Sequence, residues 1–216
     1  MNELFKKLAL VGDSAVLWLL LASSVASLAV VFDRWRTFRR NRVNFPSFLD
    51  ALGRRLENGD AAGARKLARD TGGVEGRVAA AGLAHFAKGP ASAEEAMMSR
   101  LVLERGMLEK NLIILGTLGN NAPFVGLFGT VLGIMKAFND LALSGGSGSA
   151  AVMSGISSAL VATAFGILVA IPAVAANNYF QTRLRRSVSN AQSLIHAMQA
   201  YLRDEAGHTL NREIEA

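Results

Sequence analysis

Five polar residues stand out because apolar sequence surrounds them. Asn120, Asn121 and Thr130 lie between Lys110 and Lys136, and Ser158 and Thr163 lie between Asp140 and Arg183; neither stretch holds a single charge. Among hydrocarbon, a hydroxyl or amide must find a partner on its own helix backbone or on a neighbouring helix. A bond to the residue's own helix is the plain reading for the threonines and for Ser154, Ser157 and Ser158. Asn120 and Asn121, near a helix end, read instead as glue between helices. What the two stretches lack is more informative. Neither contains Asp, Glu, Lys, Arg or His, and ion pumps and proton relays need an ionisable side chain within the membrane. Either this chain transports nothing, or a partner brings the carboxylate and this chain forms the polar wall around it. Elsewhere the chemistry is thin. There is no cysteine, hence no thiolate metal site, disulfide or cysteine nucleophile. His85, His196 and His208 are scattered without metal-like spacing, and no nucleophile–base arrangement or phosphate-binding glycine loop is discernible. The sequence therefore points to no enzyme, no metal and no cofactor.

The elements that hold these residues are membrane helices. A third charge-free run lies between Asp13 and Asp33. A helix needs about 20 largely apolar residues to cross about 30 Å of hydrocarbon, which residues 14–32 and 111–138 satisfy. The longest run divides at the glycine-serine segment 144–149, a flexible loop by composition, leaving 150–177 as the third span. Segregation of charge on this scale excludes an ordinary soluble domain, and a half-hydrophobic composition (51%) excludes disorder. The net charge of +6 reflects membrane topology rather than nucleic-acid binding. Arg34, Arg36, Arg39, Arg40 and Arg42 follow the first span, and Arg183, Arg185 and Arg186 follow the third. Only Lys136 lies between the second and third. The positive-inside rule then puts 33–110 and 178–216 in the cytoplasm, with the N-terminus and the loop 139–149 outside. A cleaved signal peptide is the rival reading of the N-terminus, disfavoured by the arginines after the run. Residues 1–13 read as an amphipathic helix on the outer surface.

The cytoplasmic segments read as helical. Pro46-Ser47 opens one helix, which Asn58-Gly59 closes. Asp60 caps the next, which stops at Gly72-Gly73. A third runs from about Val74 to Lys88. Ser92 with Glu95 looks like a capping box, and no strong breaker follows until Pro123, so one helix from Ser92 to Phe138, roughly 70 Å long, is expected. Met97, Leu101, Leu108 and Leu112 fall near one face of it. Phe180, Leu184, Val188, Ala191, Ile195, Met198 and Leu202 make one apolar stripe, which should pack on that extension in a helical bundle below the membrane. Within the spans, Ala122, Gly126, Thr130, Gly133 and Ala137 recur at close-packing intervals, with Gly129 among them. Ser154, Ser158, Ala162, Gly166 and Ala170 do the same in the third span. Small residues allow close backbone approach and mark helix interfaces, here of an oligomer. The first span, with Trp18, Leu19, Leu20, Leu21 and Leu28, is expected to face lipid. Pro123 and Pro172 are expected to kink their helices.

Two stretches carry a family resemblance. Residues 122–135 (APFVGLFGTVLGIM) strongly resemble the second-helix signature of the ExbB/TolQ/MotA proton-channel family, and residues 159–173 (ALVATAFGILVAIPA) resemble the third-helix signature. The likeness is closer to ExbB and TolQ than to MotA, covers about 110–180, and suits the three-span layout. It implies an all-α membrane protein of three spans, a homopentamer in the bacterial inner membrane around the single helices of two ExbD- or TolR-like partners. The partner helix carries an aspartate that takes up and releases protons, and the motion so driven does work at the cell envelope, with a TonB- or TolA-like protein as a further partner. By the same resemblance, Thr130 and Thr163 match pore threonines facing that aspartate; a hydroxyl both donates and accepts, so it serves either protonation state of an acid. The chain departs from the pattern at Ser158, where many ExbB and TolQ members have glutamate in a Glu-Ala-Leu context. TonB-linked import, Tol-Pal constriction and gliding motility all use such subunits, the resemblance favours protons over sodium as the coupling ion, and a passive membrane scaffold is the alternative from another class.

Overall fold

The computed structural model describes residues 2–143 and 148–214, with side chains placed for 15–143, 148–150 and 152–202. Among the described residues there are helices and no strand: α1 (Asn2–Arg40), α2 (Phe45–Glu57), α3 (Ala61–Thr71), α4 (Gly73–Ala84), a short 3-10 turn (Phe86–Lys88), α5 (Pro90–Glu109), α6 (Leu112–Leu143) and α7 (Ser149–Ile214). Stretches of α1, α6 and α7 are long and apolar enough to cross a membrane. The chain forms two compact units, an apolar one from Met1–Arg34 and Asn111–Tyr179, and a polar one from Trp35–Lys110 and Phe180–Ala216.

In the apolar unit α6 and α7 run antiparallel in van der Waals contact. Gly116 faces Asn177, Gly119 faces Val174, Gly126 faces Gly166, Gly133 faces Ala159, and Ala137 faces Gly155. The side chains of Val16 and Leu20 from α1 pack with Ala122, Leu132, Val169 and Ala170. Of the first span, expected to face lipid, Trp18, Leu19, Leu21 and Leu28 are exposed, whereas Leu20 is buried in the packing with α6 and α7. Of residues 1–13, expected as a separate surface helix, those from Asn2 on share α1 with the first span along the backbone; residue 1 and the side chains of 2–13 lie outside the described residues, as does most of the 144–149 loop. Pro123 and Pro172 stand inside α6 and α7, each assigned as one helix throughout.

The polar unit is built around α4. Its Val74, Val78, Ala79 and Leu83 are almost fully buried, and Gly82 lets Met97 of α5 and Met198 of α7 converge on it. The apolar stripe of α7 is buried from Phe180 to Leu202 except Val188, which is half-buried. Asp60 caps α3 by accepting from the Gly63 N–H at 2.8 Å. Pro46 sits in the first turn of α2, a position where its missing N–H costs nothing.

Two expectations here are corrected. The single helix from Ser92 to Phe138 is two helices, because Asn111 adopts φ +63 and α5 ends at Glu109. Asparagine enters the left-handed region more readily than most residues, so a break can sit there without glycine or proline. The capping box at Ser92 is also absent. Helix α5 begins two residues earlier at Pro90, with Gly89 as N-cap, because Gly89 at φ +94 and the pre-set φ of proline start the helix first.

Candidate functional site

Helices α6 and α7 bring Thr130 and Thr163 together. The two hydroxyls are in direct hydrogen-bond contact. Thr130 Oγ1 also lies 3.2 Å from the Gly126 carbonyl oxygen on its own helix and 3.4 Å from the Ala159 carbonyl oxygen on α7. Thr130 is buried at 8% exposure, and Thr163 is half-buried. Each hydroxyl has one proton to give. Thr130 can therefore donate to only one of its three neighbours at a time, and Thr163 can donate to Thr130 while Thr130 donates to a backbone carbonyl. The direction of this bond is reversible, and Thr163 is the member that can be reached from outside.

Glycine makes the contact possible. A Cβ on Gly126 would stand 2.7 Å from the Ala162 carbonyl oxygen and 3.1 Å from Thr163 Cα. On Gly166 it would stand 2.6 Å from the Ala122 carbonyl oxygen and 3.0 Å from Gly126 Cα. Gly133 is closed by Ala159 and Gly129 by Ala162 and Val16. Gly126, Gly129, Gly133 and Gly166 thus all lie where backbones or methyl groups leave no room for a side chain.

The other polar candidates are not part of this pair. Asn121 is exposed and donates to the Thr117 carbonyl of its own helix at 2.8 Å; it also lines an apolar groove with Val16, Leu19, Phe124 and Phe128. Asn120 and Ser158 are exposed. The third-span stripe read at strict intervals of four is half right. Ala162, Gly166 and Ala170 face α6, but Ser154 and Ser158 are exposed, and Gly155 and Ala159 take their places. A helix turns every 3.6 residues, so steps of four drift by about 40° each. The sequence contained the better answer in the mixed three- and four-residue spacing of Ala159, Ala162, Gly166, Ala170 and Ala173. Among the described residues no group of three His, Cys, Asp or Glu side chains could hold a metal.

Sequence comparison places this pair of helices in a family. The model of the MotA/TolQ/ExbB proton channel family matches residues 71–193, a stretch that includes both threonines. The Tol-Pal system protein TolQ of Pseudomonas aeruginosa is 35% identical over 208 residues, covering 87% of this chain and 86% of the relative. The biopolymer transport protein ExbB of Helicobacter pylori is 55% identical over 71 residues, covering 33% of this chain and 49% of the relative. ExbB of Pseudomonas putida is 41% identical over 102 residues, 45% of this chain and 31% of the relative. The chain thus spans half or less of these two ExbB relatives and most of the TolQ relative. With helices that suit a membrane and a signature that includes the α6–α7 contact, this chain belongs to the MotA/TolQ/ExbB proton channel family.

Proposed function

We propose that this chain is the channel-forming stator subunit of an ExbB/TolQ-type motor. A homopentamer in the bacterial inner membrane surrounds the single helices of an ExbD/TolR-like partner, and protons moving through it drive work at the envelope. The observation that carries the reading is the reversible Thr130–Thr163 hydroxyl pair in spans that contain no acid of their own. An aspartate arriving on the partner helix would meet Thr163 first, with Thr130 behind it as the relay for its bond direction. Protonated, the acid donates to the hydroxyl; ionised, it accepts from it. Ser158 and Asn120, exposed on the same spans, line the path together with Asn121, more than two turns inside α6. The work coupled is envelope maintenance of the Tol-Pal type or TonB-dependent import, with a TolA- or TonB-like protein as the receiver. The long match to TolQ favours the first. Protons are the only species carried, and no cofactor or catalysis is needed. The N-terminus lies on the periplasmic side, and residues 33–110 and 178–216 lie in the cytoplasm beside the arginines that set this orientation.

A strain lacking the chromosomal copy, complemented in trans, tests this. Detergent sensitivity reads envelope maintenance, and growth on a ferric siderophore reads import. The wild-type chain should restore one of them. Thr163→Val should fail to do so while its membrane level and native-gel assembly are unchanged, and Thr163→Ser, which keeps the hydroxyl, should restore it. Full restoration by Thr163→Val would remove the threonine from the path. Restoration that survives a protonophore would make the chain a passive scaffold.

A further inference from the structure

The polar unit contains a carboxyl group that the proposed channel does not use. Glu75 stands in the first turn of α4 and is 2% exposed. Its Oε1 accepts from Asn190 Nδ2 of α7 at 3.0 Å. Its Oε2 is buried with no hydrogen-bond partner. That oxygen lies against the junction of α3 and α4, where Gly72 and Gly73 have φ +60 and +61. Oε2 and the Asn41 carbonyl oxygen lie 3.5 and 3.4 Å from the point where a Cβ of Gly73 would stand.

An ionised carboxylate with one oxygen dry and unpaired is expensive, whereas a neutral acid needs only an acceptor for its O–H. The surroundings favour the neutral form. On its own helix the charged neighbour is Arg77, but that guanidinium is spent elsewhere. Its Nε and Nη2 each hold an oxygen of Glu104 on α5 at 2.6 Å, and Nη2 also donates to Asn41 Oδ1 at 2.7 Å. Arg100 of α5 is tied to the same Glu104 at 2.6 Å. From α7 the facing group is the neutral Asn190, from the segment after α1 it is the Asn41 carbonyl with Val43, and Thr71 ends α3 at this junction. Arg42, Arg69, Asp70 and Arg186 are exposed to solvent.

We propose that Glu75 is a proton-binding latch: carrying its proton, it lets Oε2 stay dry where α4 packs on the α3–α4 junction and on α7, and losing that proton draws in water that loosens the junction and the facing turns of α7. The loosening follows because a charged Oε2 must draw water, and the Gly72–Gly73 corner is the nearest place where backbone can yield. Burial pushes the carboxyl up from its ordinary 4.5, against the bond from Asn190 and the charge of Arg77, which lower it. A raised carboxyl value means the folded form holds its proton longer than the unfolded one. The stabilisation is complete below 4.5 and is lost as pH rises through the folded value. The latch is independent of the hydroxyl pair and would survive the loss of any channel role for the threonines.

Amide hydrogen exchange on the full chain in one detergent, across a pH series corrected for the intrinsic exchange rate, tests the latch. Peptides covering 73–84 and 184–198 should lose protection as pH rises, about tenfold for each unit by which the carboxyl is raised. Glu75→Gln cannot ionise and keeps the Asn190 partner; its protection in those peptides should be flat with pH. A pH dependence in Glu75→Gln equal to wild type would overturn the proposal. Infrared spectra give a second readout that does not depend on the variant's packing. A protonated-carboxyl carbonyl band should fade on alkalinisation of the wild type and be missing from Glu75→Gln. An identical band in both proteins would also overturn it.

Discussion

Gly166 shares the shortest added-Cβ contact of the apolar unit and meets only backbone there, so replacing it with alanine gives a measurable test of the α6–α7 contact. The added Cβ would stand 2.6 Å from the Ala122 carbonyl oxygen, 3.0 Å from Gly126 Cα and 3.2 Å from Gly126 N. All three are backbone atoms, so no rotamer change can relieve the clash. Ordinary contact begins at 3.4 Å, which forces the helices apart by about 0.8 Å at this level. A gap of that size forfeits roughly a quarter to a half of the attraction between facing atoms, and overpacking by one methyl group costs about 1–3 kcal/mol. The expected cost is at the upper end, because Gly126, Gly133 and Ala159 share the seam. The Thr130–Ala159 bond is already 3.4 Å and should be lost. Thermal unfolding in a fixed detergent reads the stability, and the complementation assay reads the output; both should fall for Gly166→Ala. Gly116→Ala is the control on the same helix pair, since its Cβ would meet nothing closer than the Asn177 amide at 3.8 Å. Its melting temperature should stay within a degree or two of wild type or rise, because alanine is the better helix former by about 1 kcal/mol. A wild-type melting temperature for Gly166→Ala, or equal damage from both variants, would show that glycine is not what closes this seam.

In the polar unit, Glu104 is 1% exposed and holds both Arg77 and Arg100. Glu104→Ala should cost about 3 kcal/mol, the low end for breaking a buried pair, because both arginines are partly exposed and can turn to water. Thermal unfolding measures it, and a loss under 1 kcal/mol would place the network among ordinary surface pairs. Asp60→Ala removes the cap of α3 and should cost about 1 kcal/mol, seen as faster amide exchange at Gly63 and its neighbours, while Asp60→Asn should restore most of the protection.

The spans were legible because solvent chemistry writes them in one-dimensional terms. Charges cannot stay in hydrocarbon, so their absence between Asp13 and Asp33, Lys110 and Lys136, and Asp140 and Arg183 marks the helices regardless of how they pack. The threonines were found through a family signature rather than spacing. Spacing alone put Ser158 on the α6 face, where Gly155 and Ala159 belong. The break at Asn111 was invisible because it uses a residue compatible with a helix interior, in a conformation only the backbone reveals. The network in the polar unit was hidden for a different reason. Arg77 and Glu104 are separated by 27 positions, and Glu75 and Asn190 by 115. In a segment crowded with charge, nothing distinguishes a buried carboxyl from a solvated one until the helices are placed.

The placement of these groups follows one rule of cost. A permanent charge at the centre of a span costs about 2.5–3.5 kcal/mol on insertion. A threonine there costs little, since its hydroxyl can fall back on its own backbone, as Thr130 does on the Gly126 carbonyl. A hydroxyl pair can therefore sit in the spans without that cost and still serve either protonation state of an acid. The polar unit meets the same penalty by a different route. Glu104 is buried with two arginines gathered on its oxygens, while Glu75 is left with one amide and a dry oxygen, the arrangement in which a carboxyl avoids the penalty by keeping a proton. Two carboxyls in one small helical unit are thus sorted by their partners, one gathering two guanidiniums and the other a single neutral amide.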